Sequence, residues 1–293
     1  MKAPATLATF AVALAGVFAL AFAAGAVAPN VLGGSDGGSA SAMNEDRGSS
    51  AELRLVPERP VVSPGAAVPF RAAVLDAAGQ PVRDYVRTHE KDLHLVVVSR
   101  DLSRYQHVHP TLGADGDWQV DLDLQAPGAY EAFADFRPRG RKDNVVVGTD
   151  LLVAGDYQPA GLGVPRSADT IGDIEVSLEG TPEAGGISEL GFRVTRNGEP
   201  VTTLQPHLGA YGHLVSLRSG DLAYLHTHPV DEASPVASGG PVVRFGAEFP
   251  TAGTYRLFFD FRVDDEVRTA DFTVEVTGAG QSPAGGSPGH GGH

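Results

Sequence analysis

The sequence predicts an all-β protein: two tandem immunoglobulin-like β-sandwich domains after an N-terminal signal or transmembrane helix. Three observations predict it. Short runs of alternating apolar and polar residues, bounded by Gly, Pro, Asn and Asp, fill most of residues 51–278. The runs occur twice in the same order. No amphipathic helix is evident in either copy, and about seven short strands in about 105 residues is the density of a sandwich.

The chain divides in order as follows. Lys2 precedes an uncharged apolar run, Leu7 to Pro29, about 20 residues and long enough to span a bilayer. Ala21-Phe22-Ala23 and Ala26-Val27-Ala28 also suit signal cleavage. Residues 1–29 are therefore a signal peptide or a membrane anchor, and either places the body outside the cytoplasm. Residues 30–50 read as a flexible linker. The first sandwich is expected over 51–156 and the second over 173–278, with residues 157–172, including Pro165, as linker. Residues 279–293 form a Gly/Pro/His tail carrying His290 and His293, expected to be disordered.

The two halves align segment by segment. LRLVPE (53–58) matches IEVSLEG (174–180), and WQVDLDLQAPGAYEAFADFRP (118–138) matches VRFGAEFPTAGTYRLFFDFRV (243–263). Gly79-Gln80-Pro81 and Gly198-Glu199-Pro200 supply turn chemistry at matching places. Trp118, the sole tryptophan, is expected to pack within a strand.

Between these segments each half carries HLV…HxHP: His94, His107 and His109 in the first copy, His213, His226 and His228 in the second. A two-residue turn at Asp101-Leu102 sets Val98 opposite Tyr105, Val96 opposite His107 and His94 opposite His109. Opposed residues share a face, so three imidazoles project from one side. A turn at Gly220-Asp221 repeats this, with Val215 opposite His226 and His213 opposite His228. Three histidines suit a borderline divalent metal, Cu(II) or Zn(II). His89 and His207 precede the two hairpins and are candidate fourth ligands. Asp135 (FADFRP) and Asp260 (FFDFRV) correspond as ligands, as acceptors that orient a histidine, or as partners of Arg137 and Arg262. The competing reading is that these histidines serve the fold through hydrogen bonds.

Composition narrows the function classes. There is no cysteine, which excludes disulfides, thiolate metal sites and cysteine nucleophiles. Met1 and Met43 are the two methionines, so a thioether Cu(I) site is not expected. A net charge of −14 argues against nucleic acid as a partner and suits a cation. No Gly-x-Ser-x-Gly, phosphate loop or His-Glu-x-x-His is present, so an enzyme is not expected.

KDLHLVVVSRDLSRYQHVHP with YEAFADFRP, and PHLGAYGHLVSLRSGDLAYLHTHP with YRLFFDFRV, resemble segments of exported bacterial tandem immunoglobulin-like proteins, similar to YtkA-like and CopC-like sandwiches. The resemblance covers about residues 51–278 and implies an envelope protein tied to copper or another heavy metal. The chain departs from copper-resistance sandwiches in lacking a methionine-rich stretch and an N-terminal histidine on the mature chain. The expectation is an exported or membrane-anchored, extracytoplasmic protein that binds Cu(II) or Zn(II), with a role in metal homeostasis. Its partners would be the metal ion, another envelope protein, and the membrane if residues 1–29 are uncleaved. The alternative is a non-metal structural or interaction protein of the envelope.

Overall fold

The computed structural model describes residues 53–230 and 238–278, and for His226 and His228 the backbone alone. The N-terminal segment 1–29, the linker 30–50 and the tail 279–293 with His290 and His293 lie outside the described residues. Among the described residues no helix is long and apolar enough to cross a membrane.

The first sandwich is built from β1 (Arg54–Pro57), β2 (Val61–Val62), β3 (Gly65–Leu75), β4 (Tyr85–Val86), β5 (Leu93–Ser99), β6 (Tyr105–Val108), β7 (Thr111–Leu112), β8 (Asp117–Leu124), β9 (Gly128–Pro138) and β10 (Val145–Val153). One sheet runs β1-β3-β8-β7; the other runs β2-β10-β9-β5-β6, with β4 on β9. The second sandwich uses β11 (Ala168–Ile171), β12 (Ile174–Glu179), β13 (Glu183–Ala184), β14 (Ile187–Arg196), β15 (Glu199–Pro200), β16 (Gly212–Arg218), β17 (Tyr224–His226), β18 (His228–Pro229), β19 (Val242–Glu248), β20 (Gly253–Val263) and β21 (Glu266–Gly278). Its sheets run β11-β12-β14-β19-β18, with β15 on β14, and β13-β21-β20-β16-β17. β11 falls inside the stretch read as linker, because its backbone pairs with β12.

Alternation explains the outer sheets. In β8, Trp118, Leu122 and Leu124 point inward while Gln119, Asp121 and Asp123 face water. Trp118 packs edge-on against Tyr85 and donates Nε1–H to its hydroxyl at 3.2 Å. It is a core residue, as the sequence suggests.

The central strands of the inner sheets, β5, β9, β16 and β20, do not alternate along their buried stretches, and for a physical reason. Every residue of β5 is buried, and β9 and β20 share one burial pattern along their lengths. Leu93, Leu95 and Val97 fill the core of the first sandwich. Their neighbours Val96 and Val98 point the other way and meet Val215, Leu217, Phe133 and Phe258 in a separate apolar cluster drawn from both sandwiches. Tyr105 stacks on Phe258 with ring centroids 4.0 Å apart. Two sheets thus pack face to face between the sandwiches, and both sandwiches belong to one compact unit. A strand covered on both sides needs no polar face. Each large side chain buried here contributes on the order of 1.5–3 kcal/mol. The histidines lie on this same inter-sandwich face.

Candidate metal centre

The first hairpin forms in the expected register: Val96 pairs with His107 and Val98 with Tyr105. His109 follows the end of β6. β9 adds Asp135 opposite His94 on the other side of β5. In the second hairpin Val215 pairs with His226, as expected. His228 is different. The sequence places it opposite His213, but the chain leaves the inner sheet at Thr227, and His228 pairs with Gly246 of β19 in the outer sheet. The two copies of HxHP therefore diverge at their last histidine.

His94, His107 and His109 converge. His94 Nδ1 lies 3.1 Å from His107 Nε2 and 3.1 Å from His109 Nε2, and one ligand atom from each falls within 4.8 Å of the others. The other nitrogens fix the tautomers. His94 Nε2 donates to the Thr88 carbonyl at 3.0 Å, because a carbonyl can only accept. His107 Nδ1 donates to Asp260 Oδ2 at 3.0 Å. Burial pushes the His94 imidazolium down to about 4, with His107 and His89 adding repulsion against the partial support of the Thr88 carbonyl. Burial, then His107 and His94, push His109 down to about 2. His94 is therefore neutral at pH 7, with its lone pair on Nδ1 facing two further nitrogens. One shared proton could satisfy one of those contacts. A cation satisfies all three. Bonds of 2.0–2.1 Å put neighbouring ligand nitrogens about 2.9 Å apart at a right angle and about 3.3 Å apart at the tetrahedral angle; the observed 3.1 Å lies between.

Asp260 answers the question left open for the paired aspartates. It is 3% exposed. Its carboxylate accepts from His107 Nδ1, from the Tyr105 hydroxyl at 3.1 Å and from Thr269 Oγ1 at 2.6 Å. It orients a histidine of the other sandwich. Arg262 pairs instead with Asp265. Asp135, 4% exposed, accepts from Asn144 at 3.0 Å.

The remaining described histidines join the same cluster. His213 Nε2 donates to the His207 carbonyl at 3.0 Å, repeating the bond from His94 to Thr88. Burial pushes His213 down to about 3 and lowers His207. The His213 ring lies 5.4 Å from His89, 6.4 Å from His94, 6.1 Å from His107 and 6.0 Å from His207; His109 lies 6.4 Å from His207. His89 and His207 are not counterparts, which explains their unequal spacing. Thr88 and His207 each open a tight turn and present a carbonyl to the hairpin histidine. The central residues, His89 and Glu90 or Leu208 and Gly209, all have positive φ. Three non-glycine residues thus hold a conformation that costs on the order of 1–2 kcal/mol each.

The sequence pointed to the histidines but missed the Thr88 carbonyl, Tyr105, Thr269 and Asn144. Only Tyr105 carried a signal: it sits two residues before His107, so it shares that face.

A search of curated protein sequences finds no match. Solved structures overlap loosely. The D0–D1 domain of intimin matches at 8% identity over 77% of this chain and 98% of its own, with TM-score 0.22. InvD of Yersinia pseudotuberculosis matches at 11% identity over 82% of this chain and 61% of its own, with TM-score 0.25. Invasin, a bacterial integrin-binding protein, matches at 12% identity over 76% and 39%, with TM-score 0.21. Overlaps this loose assign neither a partner nor a role. One family model matches twice, at residues 49–150 and 169–278, and it is the domain of unknown function DUF8832. These bounds follow the two sandwiches, so the chain belongs to the DUF8832 family and carries its domain twice.

Proposed function

We propose that this is an extracytoplasmic binding protein that takes one transition-metal cation, Cu(II) or Zn(II), on His94, His107 and His109. The observation that carries the reading is the meeting of three ring nitrogens, two of them 3.1 Å from His94 Nδ1, in a buried setting that keeps His94 and His109 neutral. Neutral imidazole is the ligating form. An all-nitrogen set without thiolate or thioether suits Cu(II) or Zn(II), with Cu(II) the tighter in the usual affinity order. Asp260 supplies negative charge behind His107 and makes it a better donor. The extracytoplasmic location rests on the apolar run Leu7 to Pro29. A role in metal homeostasis rests on the likeness to YtkA-like and CopC-like sandwiches in the hairpin and FADFRP/FFDFRV residues.

The test is metal content and calorimetric affinity of the full chain with Cu(II) and with Zn(II), beside a His94→Ala/His107→Ala/His109→Ala variant. Tight binding that falls at least a hundredfold in the variant supports the site. Binding no tighter in the wild type than in the variant sinks it, and leaves the triad as a hydrogen-bonded fixture of the fold.

A further inference from the structure

Beside the triad lies a cavity of about 40 Å³ between the sandwiches, lined by His89, His94, His107, His213, Asp135 and Asn144 among others. It is roomy enough for a water or a small ion, since about 10–15 Å³ suffices for one water. Two of its walls, His94 and His107, spend their facing nitrogens on the first centre. His213 does not: its hydrogen bond runs through Nε2 to the His207 carbonyl.

His213 stands where His94 stands in the repeat. Its Nε2 proton goes to the His207 carbonyl, as that of His94 goes to Thr88. Its available lone pair is therefore on Nδ1. The residue is 9% exposed, and among the described residues no side chain donates a hydrogen bond to that nitrogen. Nδ1 thus keeps a lone pair for an occupant of the cavity that His213 lines. His89 is placed to share one: its ring centroid is 5.4 Å from that of His213. The triad rings are 4.9, 4.9 and 5.3 Å apart, which is the separation of imidazoles around a common centre. The Asp135 carboxylate, 4% exposed, lines the same cavity and offsets positive charge there.

We propose that this cavity is a second cation position, held by His213 Nδ1 and a ring nitrogen of His89, making a two-cation histidine centre that spans both sandwiches. The cation is of the same class as the first, a borderline metal that accepts imidazole. A water completes its coordination. This inference rests on the reading of the triad as a metal centre, and the experiment separates the two.

The full chain is titrated with Cu(II) by calorimetry, with bound copper counted by elemental analysis after gel filtration. His213→Ala and His94→Ala variants run beside it, with far-UV circular dichroism and thermal melting to establish that each folds. His89→Ala, on a turn, is the second probe of the new position should His213→Ala not fold. The expected result is two tightly held ions per wild-type chain. Both His213→Ala and His89→Ala should hold one fewer, with the remaining affinity within about tenfold of the triad's. In the two-ion form, electron paramagnetic resonance should lose intensity through coupling of neighbouring Cu(II) ions, and His213→Ala should restore the isolated-ion spectrum. One ion in the wild type and one in both single-site variants overturns the second position and keeps the triad. No tight binding in any protein overturns both.

Discussion

The two histidine hairpins share residues, spacing and inner-sheet register, yet they end differently. In the first, β6 keeps to the inner sheet as far as Val108, and His109 closes on His94 at 3.1 Å. In the second, the chain crosses to the outer sheet at Thr227, and His228 pairs with β19. The copies also divide the supporting work. His107 of the first sandwich is oriented by Asp260 of the second. Duplication supplied two equivalent hairpins; packing their faces together let one borrow from the other. A difference of one strand crossing turns a repeated motif into an asymmetric centre.

The largest expected effect tests whether the packed face makes the centre. Phe258→Ala removes the ring under Tyr105, two residues from Asp260, and should cost about 3–5 kcal/mol in chemical denaturation. Phe192→Ala, in the second sandwich's own core, should cost a similar amount. Only Phe258→Ala should also weaken metal binding. Equal affinities in the two variants would mean that the interface does not shape the site.

Next comes pH. The folded state holds His94 near 4 and His213 near 3, below the ordinary 6.5. The unfolded chain therefore binds more protons below pH 6.5, and stability is lost as pH falls from there toward about 4. The loss is on the order of 1 kcal/mol per buried histidine for each pH unit. Metal-free protein should thus melt earlier at pH 5.5 than at pH 7.5, and a saturating cation should raise stability by a similar amount at both, because the folded histidines stay neutral over that range. Metal binding itself should persist below pH 6.5, where an exposed histidine site would already be losing its ion. A melting temperature unchanged between the two pH values would count against neutral buried imidazoles.

Asp260→Asn tests the borrowing directly. Asparagine keeps an acceptor for His107 Nδ1 but removes the charge, and affinity should fall about 10–100-fold. Asp135→Asn, which leaves His107 and its acceptor in place, should affect the triad less. Equal losses in the two variants would erase the distinction between the hairpins.

Much of this was legible in the sequence for reasons that also mark its limits. Strand period and turn residues gave the sandwiches, and hairpin arithmetic gave Val96 opposite His107, because both are local. The inter-sandwich face was present as a signal in LHLVVVS and YRLFFDF, runs without a polar side, but a single strand buried on both faces looks like any apolar run. Asp260 was found as a candidate and could not be assigned to His107, since the two are 153 residues apart. The Thr88 carbonyl was illegible: main-chain groups leave no trace in side-chain patterns, and the histidine beside it, His89, drew attention instead.

Tyr105→Phe should have the smallest effect, and its sign is informative. The variant keeps the stack on Phe258 and removes one of the donors to Asp260. Stability should fall by about 1 kcal/mol, as for the loss of one hydrogen bond. Affinity should not follow it down. With one donor fewer, the Asp260 carboxylate holds more of its charge for His107 Nδ1, which makes Nε2 the stronger ligand. Affinity should therefore hold or rise, by no more than about threefold, while Asp260→Asn moves it the other way. Calorimetry of both variants at one pH separates the two accounts of Asp260. If it tunes His107 by charge, the variants diverge; if it merely braces the interface, both lose affinity together.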